Sequence, residues 1–184
     1  MEEVNTAVQM VSSAGWPKGD IVHLNGSDAT VDRVSDALNL CSWLHFACHG
    51  MQHPTSAMNS AFALQNGDLK LIQIASKRLS AGRFAFLSAC HTAAGLQRLP
   101  GEAMHLAGEL QFAGFKSVIA TMWGISDEDA SIVASHTYEY LFRNGLQGCD
   151  PPQAATALNR AVLHLREDPK VTVDRWAPFI HFGL

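Results

Sequence analysis

Two stretches, "WLHFACHG" at residues 43–50 and "RFAFLSACHTAAG" at residues 83–95, decide how the rest of this sequence is read. Each opens as a continuous apolar run of strand length, of the kind that is buried on both faces in a parallel sheet. Each then ends on a group that a purely structural strand does not need, His49 in the first and Cys90 in the second.

Around these runs the pattern alternates between strand and helix. Val4, Ala7, Val8 and Val11 recur at helical spacing, the Gly/Pro-containing segment "GWPKGD" breaks that helix, and residues 21–24 are expected to form a short strand. After Thr30, Val31, Val34 and Leu38 share one helical face that leads into the first apolar run. "AFAL" followed by "NGD" predicts a hairpin turning at Asn66 and Gly67, and "LIQIASKRL" a brief helix.

Beyond Cys90, Ala103, Leu106, Ala107, Leu110 and Ala113 mark an amphipathic helix ending at Gly114, and residues 117–123 read as the next strand. Ser126 caps a helix whose inner face is Ala130, Val133, Ala134, Thr137 and Leu141, with Asp127, Glu128 and Asp129 in its first turn. Asp150 and Pro151 open a last helix with Ala154, Ala157, Leu158, Ala161 and Leu165 inward, and "WAPFIHFGL" closes the sequence as a strand. Helices of crossover length between apolar strands predict an α/β fold with a mostly parallel sheet flanked by helices. In such sheets ligands gather beyond the carboxyl ends of the strands, where His49 and Cys90 fall.

Composition narrows the function. The 184 residues are 47% hydrophobic with a formal net charge of -4, as in an ordinary soluble domain. The thirteen Lys and Arg are scattered, which argues against nucleic acid as a partner because phosphate binding needs clustered cations. No apolar stretch reaches the roughly 18–20 residues of a membrane span. Three of the four cysteines lie in or beside strand-like runs with no secretory leader before them, so a reducing cytoplasmic setting is expected.

A free thiol with pKa near 8.5 needs a histidine or other cationic neighbour to become a thiolate and later to protonate a leaving amine. His49 is placed to do this for Cys90, and the backbone amides of Gly50 and Cys90 are candidates for the oxyanion hole. Cys48 reads as a small buried hydrophobe on the face opposite His49. A metal site built from Cys48, His49, His53, Cys90 and His91 lacks any CxxC pair, and adjacent Cys-His dipeptides point to opposite faces of a strand. No cofactor is called for.

At "LHFACHG" and "FLSACHTAAG" the sequence resembles the histidine and cysteine blocks of CHAT domains, caspase-like peptidase modules often found behind tetratricopeptide repeats or in nucleotide-binding signalling proteins. The resemblance continues through "GEAMHLAGELQFAGFKSVIATMWGISDEDA" and "RWAPFIHFGL", from Asp20 onward, with wording closest to basidiomycete fungal sequences. It implies a caspase-type fold, a Cys90–His49 dyad and cleavage of a protein substrate. The caspase Gln and Arg around the cysteine are absent from Ser88-Ala89-Cys90-His91-Thr92, so cleavage after aspartate is not implied. Similarity to separases makes Asp127 a candidate for recognising a basic residue before the scissile bond, beside its plainer role of complementing the helix dipole.

Fuller CHAT domains carry one more strand, before the first helix and next to the histidine strand. The resemblance therefore implies that residues 1–184, read as a single domain, are the carboxyl-terminal part of a larger protein or associate with further copies. An upstream sensor or repeat region is the expected activator, acting on loops 51–57 and 95–100. A catalytically silent interaction module on the same fold stays open as the alternative.

Overall fold

The computed structural model describes residues 2–51, 53, 57–88, 90–91 and 103–183. In chain order, α1 (Glu2–Ser13) and α2 (Val31–Leu38) precede β1 (Trp43–Phe46), β2 (His49–Met51), β3 (Ala61–Leu64), β4 (Gly67–Lys70) and α3 (Leu71–Ala75). Next come β5 (Phe84–Leu87), β6 (Cys90–His91), α4 (Ala103–Ala113), β7 (Ser117–Thr121), α5 (Asp127–Phe142), α6 (Ala154–Leu165), α7 (Val173–Trp176) and β8 (Phe179–Gly183).

The main sheet has the order β1-β5-β7-β8, with β1, β5 and β7 parallel and β8 antiparallel to β7. Alternation along these strands sorts their side chains into two cores. Trp43, Phe84, Phe86, Ile119 and Phe179 pack with α1, α5 and α6 on one face, including Val133, Leu141, Ala157 and Leu158. Leu44, Phe46, Ala85, Leu87, Val118 and Ala120 pack on the other against Val34, Leu38, Ile74, Leu106 and Leu110 of α2, α3 and α4. The result is a three-layer α/β/α sandwich. Each of its fully buried phenylalanines contributes roughly 1.5–3 kcal/mol of transfer free energy. On the first face Trp43 closes the stack, its ring centroid 4.8 Å from Phe84 and 5.2 Å from Phe142.

A second, smaller sheet of order β4-β3-β2-β6 stands at the carboxyl ends of β1 and β5. The predicted hairpin is its β3–β4 pair, whose turn falls on Gln65 and Asn66, one residue earlier than expected. Asn66 also accepts a hydrogen bond from Val31 N at 2.8 Å, so the hairpin tip caps the start of α2. Thr30 and Ser126 accept from the backbone N–H of Arg33 and Asp129, and Ser126 is the cap that the sequence predicts.

Two expectations are corrected. Residues 21–24 form no strand: they run irregularly between short 3-10 turns at Lys18–Asp20 and Gly26–Asp28, with Val22 exposed. Among the described residues β1 is paired only with β5, and 21–24 pairs with no strand. The inner face of α1 agrees in part with the one predicted: Ala7 and Val11 enter the core and Met10 joins them, while Glu3, rather than Val4, occupies the buried position one turn earlier.

Gly114 ends α4 at φ +132°, and a Cβ there would stand 2.3 Å from the Leu79 carbonyl oxygen. That close approach lets Leu79 N–H donate to the Ala113 carbonyl at 2.7 Å, joining the end of α4 to the segment that enters β5. Gly114→Ala is expected to destabilise the fold by more than about 1 kcal/mol, read as a lower urea midpoint with an unchanged slope.

Candidate active site

Parallel pairing brings the two motifs together. In the main sheet Trp43 pairs with Phe84 and Phe46 with Leu87; in the second sheet His49 pairs with Cys90 and Gly50 with His91. The difference in residue number is 41 in every one of these pairs. The ladder thus crosses from one sheet to the other without a register slip, and His49 and Cys90 are Cα partners on adjacent strands. Positions paired in this way are close neighbours along the sheet.

His49 is exposed, while Gly50 beside it is buried between β3 and β6. Cys48 packs into the core on the α4 face, as the alternation predicts. Burial pushes its thiol up to about 12, and Cys41 and Cys149 are likewise raised, each to about 11. These thiols stay protonated at neutral pH. Loop 95–100 lies outside the described residues, and loop 51–57 is described only at Met51, His53 and Ala57.

Asp127 opens α5, on the segment that leaves the carboxyl end of β7, next to β5 in the sheet. Its side chain is exposed, whereas Asp129 two residues on is buried and receives Arg175 through Nε at 2.9 Å and Nη2 at 2.6 Å. Burial alone would raise the Asp129 carboxyl, but the hydrogen bonds from Arg175 and Ser126 and the attraction of the guanidinium outweigh it and hold it below its ordinary value. Trp123 Nε1 donates to the Asp174 carbonyl at 2.8 Å and Met122 N to that of Pro178 at 2.9 Å, so together with the Asp129–Arg175 pair they tie down the chain on both sides of Asp127. The acidic turn therefore divides its work: Asp129 anchors, and Asp127 is left facing solvent.

The sequence reading passed over a polar group beneath the strand tips. His45 of β1 has Nδ1 2.9 Å from the Tyr138 hydroxyl and Nε2 3.0 Å from Glu3 Oε1, and Ser88 donates to the same Glu3 oxygen. A histidine within an apolar strand, on the same face as Trp43, was the available signal. Among the described residues no three His, Cys, Asp or Glu side chains gather so as to hold a metal ion, and no helix is long and apolar enough to cross a membrane.

This arrangement, a mostly parallel three-layer sandwich presenting a histidine strand beside a cysteine strand, is a caspase-like fold. The CHAT domain family model matches residues 1–184, and the chain belongs to that family. Among solved structures it is similar to the crystal structure of the Arg specific cysteine proteinase gingipain R (RgpB), with a TM-score of 0.62 at 16% identity. The match covers 97% of this chain and 40% of the gingipain chain. No curated protein matches the sequence.

Because the Asp129 carboxyl is lowered in the fold, its stabilisation is present above the unfolded value of about pH 4 and fades as pH falls through the lowered one. Arg175→Met should therefore lower the urea midpoint at pH 7, and its deficit against wild type should shrink at pH 3.

Proposed function

We propose that this chain is a cysteine endopeptidase domain in which His49 activates Cys90. The single observation that carries this reading is the His49↔Cys90 register on adjacent parallel strands. In the reaction the imidazole takes the thiol proton, and the thiolate attacks the scissile carbonyl. The imidazolium then protonates the departing amine, leaving an acyl-enzyme that water hydrolyses. The Gly50 and Cys90 amides are the proposed donors to the oxyanion.

Asp127 is the proposed recognition group for a basic residue before the scissile bond. Its exposure on the segment that follows β7, the neighbour of β5 in the sheet, supports this, and so does the arginine specificity named for the gingipain structure. The substrate is a protein in the cytoplasm, and an upstream sensor or repeat region controls the activity. The edge of β1, unpaired among the described residues, supports engagement by a further strand, from such a region or from a second copy.

The test is the rate of iodoacetamide alkylation at Cys90 across pH, in wild type and His49→Ala, followed peptide by peptide in a mass spectrometer. Cys41, Cys48 and Cys149 should stay nearly silent below about pH 9, given thiols raised to about 11 or 12. An assembled dyad gives fast labelling of Cys90 well below pH 8 that collapses by at least about tenfold without His49. Labelling that titrates near pH 8.5 in both proteins would sink the dyad and favour a silent module. With the dyad established, cleavage of a peptide library after Arg or Lys, lost in Asp127→Ala, would assign the pocket.

A further inference from the structure

The polar group beneath the strand tips joins four elements through side chains that are almost fully buried. Glu3 comes from α1, His45 from β1, Ser88 from the residue following β5, and Tyr138 from α5. Glu3 is 8% exposed, Ser88 5% and Tyr138 3%. The His45 ring lies flat on Phe86, with centroids 5.1 Å apart and planes within 8°. No Lys or Arg pairs with Glu3 among the described residues; its hydrogen-bond partners are His45 and Ser88.

Hydrogen-bond chemistry fixes the direction of the two bonds to Glu3. An ionised carboxylate only accepts, so Nε2 of His45 carries the proton shared with Glu3, and the Ser88 hydroxyl is committed to the same oxygen. A neutral imidazole then accepts at Nδ1 from the Tyr138 hydroxyl. One carboxylate oxygen thus clasps a donor from the β1 strand and a donor from the end of the β5 strand. Burial makes the clasp stiff, because releasing either donor leaves polar atoms without water to replace it.

The position of the clasp suggests its use. Ser88 stands two residues before Cys90, and His45 four residues before His49. The ladder runs on from Phe46↔Leu87 to His49↔Cys90 with no slip between them. We propose that Glu3, His45 and Ser88, with Tyr138 holding the far side of the imidazole, are positioning residues that lock the tips of the two strands at a common height, so that His49 and Cys90 meet. The proposal rests on the reading of His49 and Cys90 as a dyad. None of the four is assigned contact with substrate.

The experiment measures Cys90 alkylation against pH in wild type, Ser88→Ala, Tyr138→Phe and Glu3→Gln, together with thermal unfolding of each. Ser88→Ala should slow labelling at pH 6 by about tenfold or more, since small misplacements of reacting groups carry losses of that order. At pH 10, where the thiol ionises unaided, its rate should match wild type. Tyr138→Phe should move the profile in the same direction by less, and it carries the test if Ser88→Ala does not fold. Glu3→Gln keeps an acceptor oxygen in the same volume and should retain most of the low-pH rate. A purely structural role would lower the unfolding temperature while leaving the pH profile of the folded protein unchanged. Wild-type profiles in both Ser88→Ala and Tyr138→Phe therefore overturn the positioning role and leave the dyad standing. Wild-type protein with no His49-dependent labelling below pH 8 overturns both together.

Discussion

Everything about the candidate site depends on one ladder of parallel strand pairing. Hydrogen bonds between β1 and β5 hold two apolar strands side by side, and the same register continues into β2 and β6, where the apolar residues give way to His49 and Cys90. The energy that fixes this register is supplied elsewhere. It comes from Phe84, Phe86, Ala85 and Leu87, all buried, and from the two helical layers that cover them. Because side chains alternate with a period of two, a slip of one residue would send the aromatic and aliphatic faces to the wrong layers. The core thereby specifies the pairing, and the pairing delivers the chemistry.

The helical layers also account for what is left free at the sheet's carboxyl edge. The first turn of α5 holds three acidic residues, and one of them, Asp129, is consumed by Arg175 in closing α7 onto α5. Beneath the strand ends Glu3 is consumed by His45 and Ser88. In both places a buried carboxylate is retained because it is paired, which burial of an ion requires. The exposed His49 and Asp127 carry no such obligation.

Much of the fold was legible because period and capping agreed along the chain. Val34 and Leu38 of α2, the hairpin at "AFAL", Gly114 and Ser126 each carried a local signal that tertiary structure had no reason to override. The failures have the opposite character. Residues 21–24 look like a strand, but a strand exists only where a neighbour pairs with it, and none is supplied among the described residues. In α1, Val4 outranks Glu3 by hydropathy, yet Glu3 is the one buried, because His45 and Ser88 wait for it from segments some 40 and 85 positions away. That His49 and Cys90 stand at the ends of neighbouring strands is legible from motif and strand period; the polar clasp below them is not, since no local pattern announces a buried partner.

The segments that connect the two sheets have a consequence for how this protein can vary. Two residues separate Phe46 from His49, and two separate Leu87 from Cys90. Their equality is what carries the register across the junction. At these four positions, Ser88 with its bond to Glu3 excepted, length is the constrained quantity. An insertion or deletion in one segment rotates its strand tip relative to the other, while a matched change in both preserves the pairing. Variation by length is therefore costly at the junction, the reverse of the rule for surface loops.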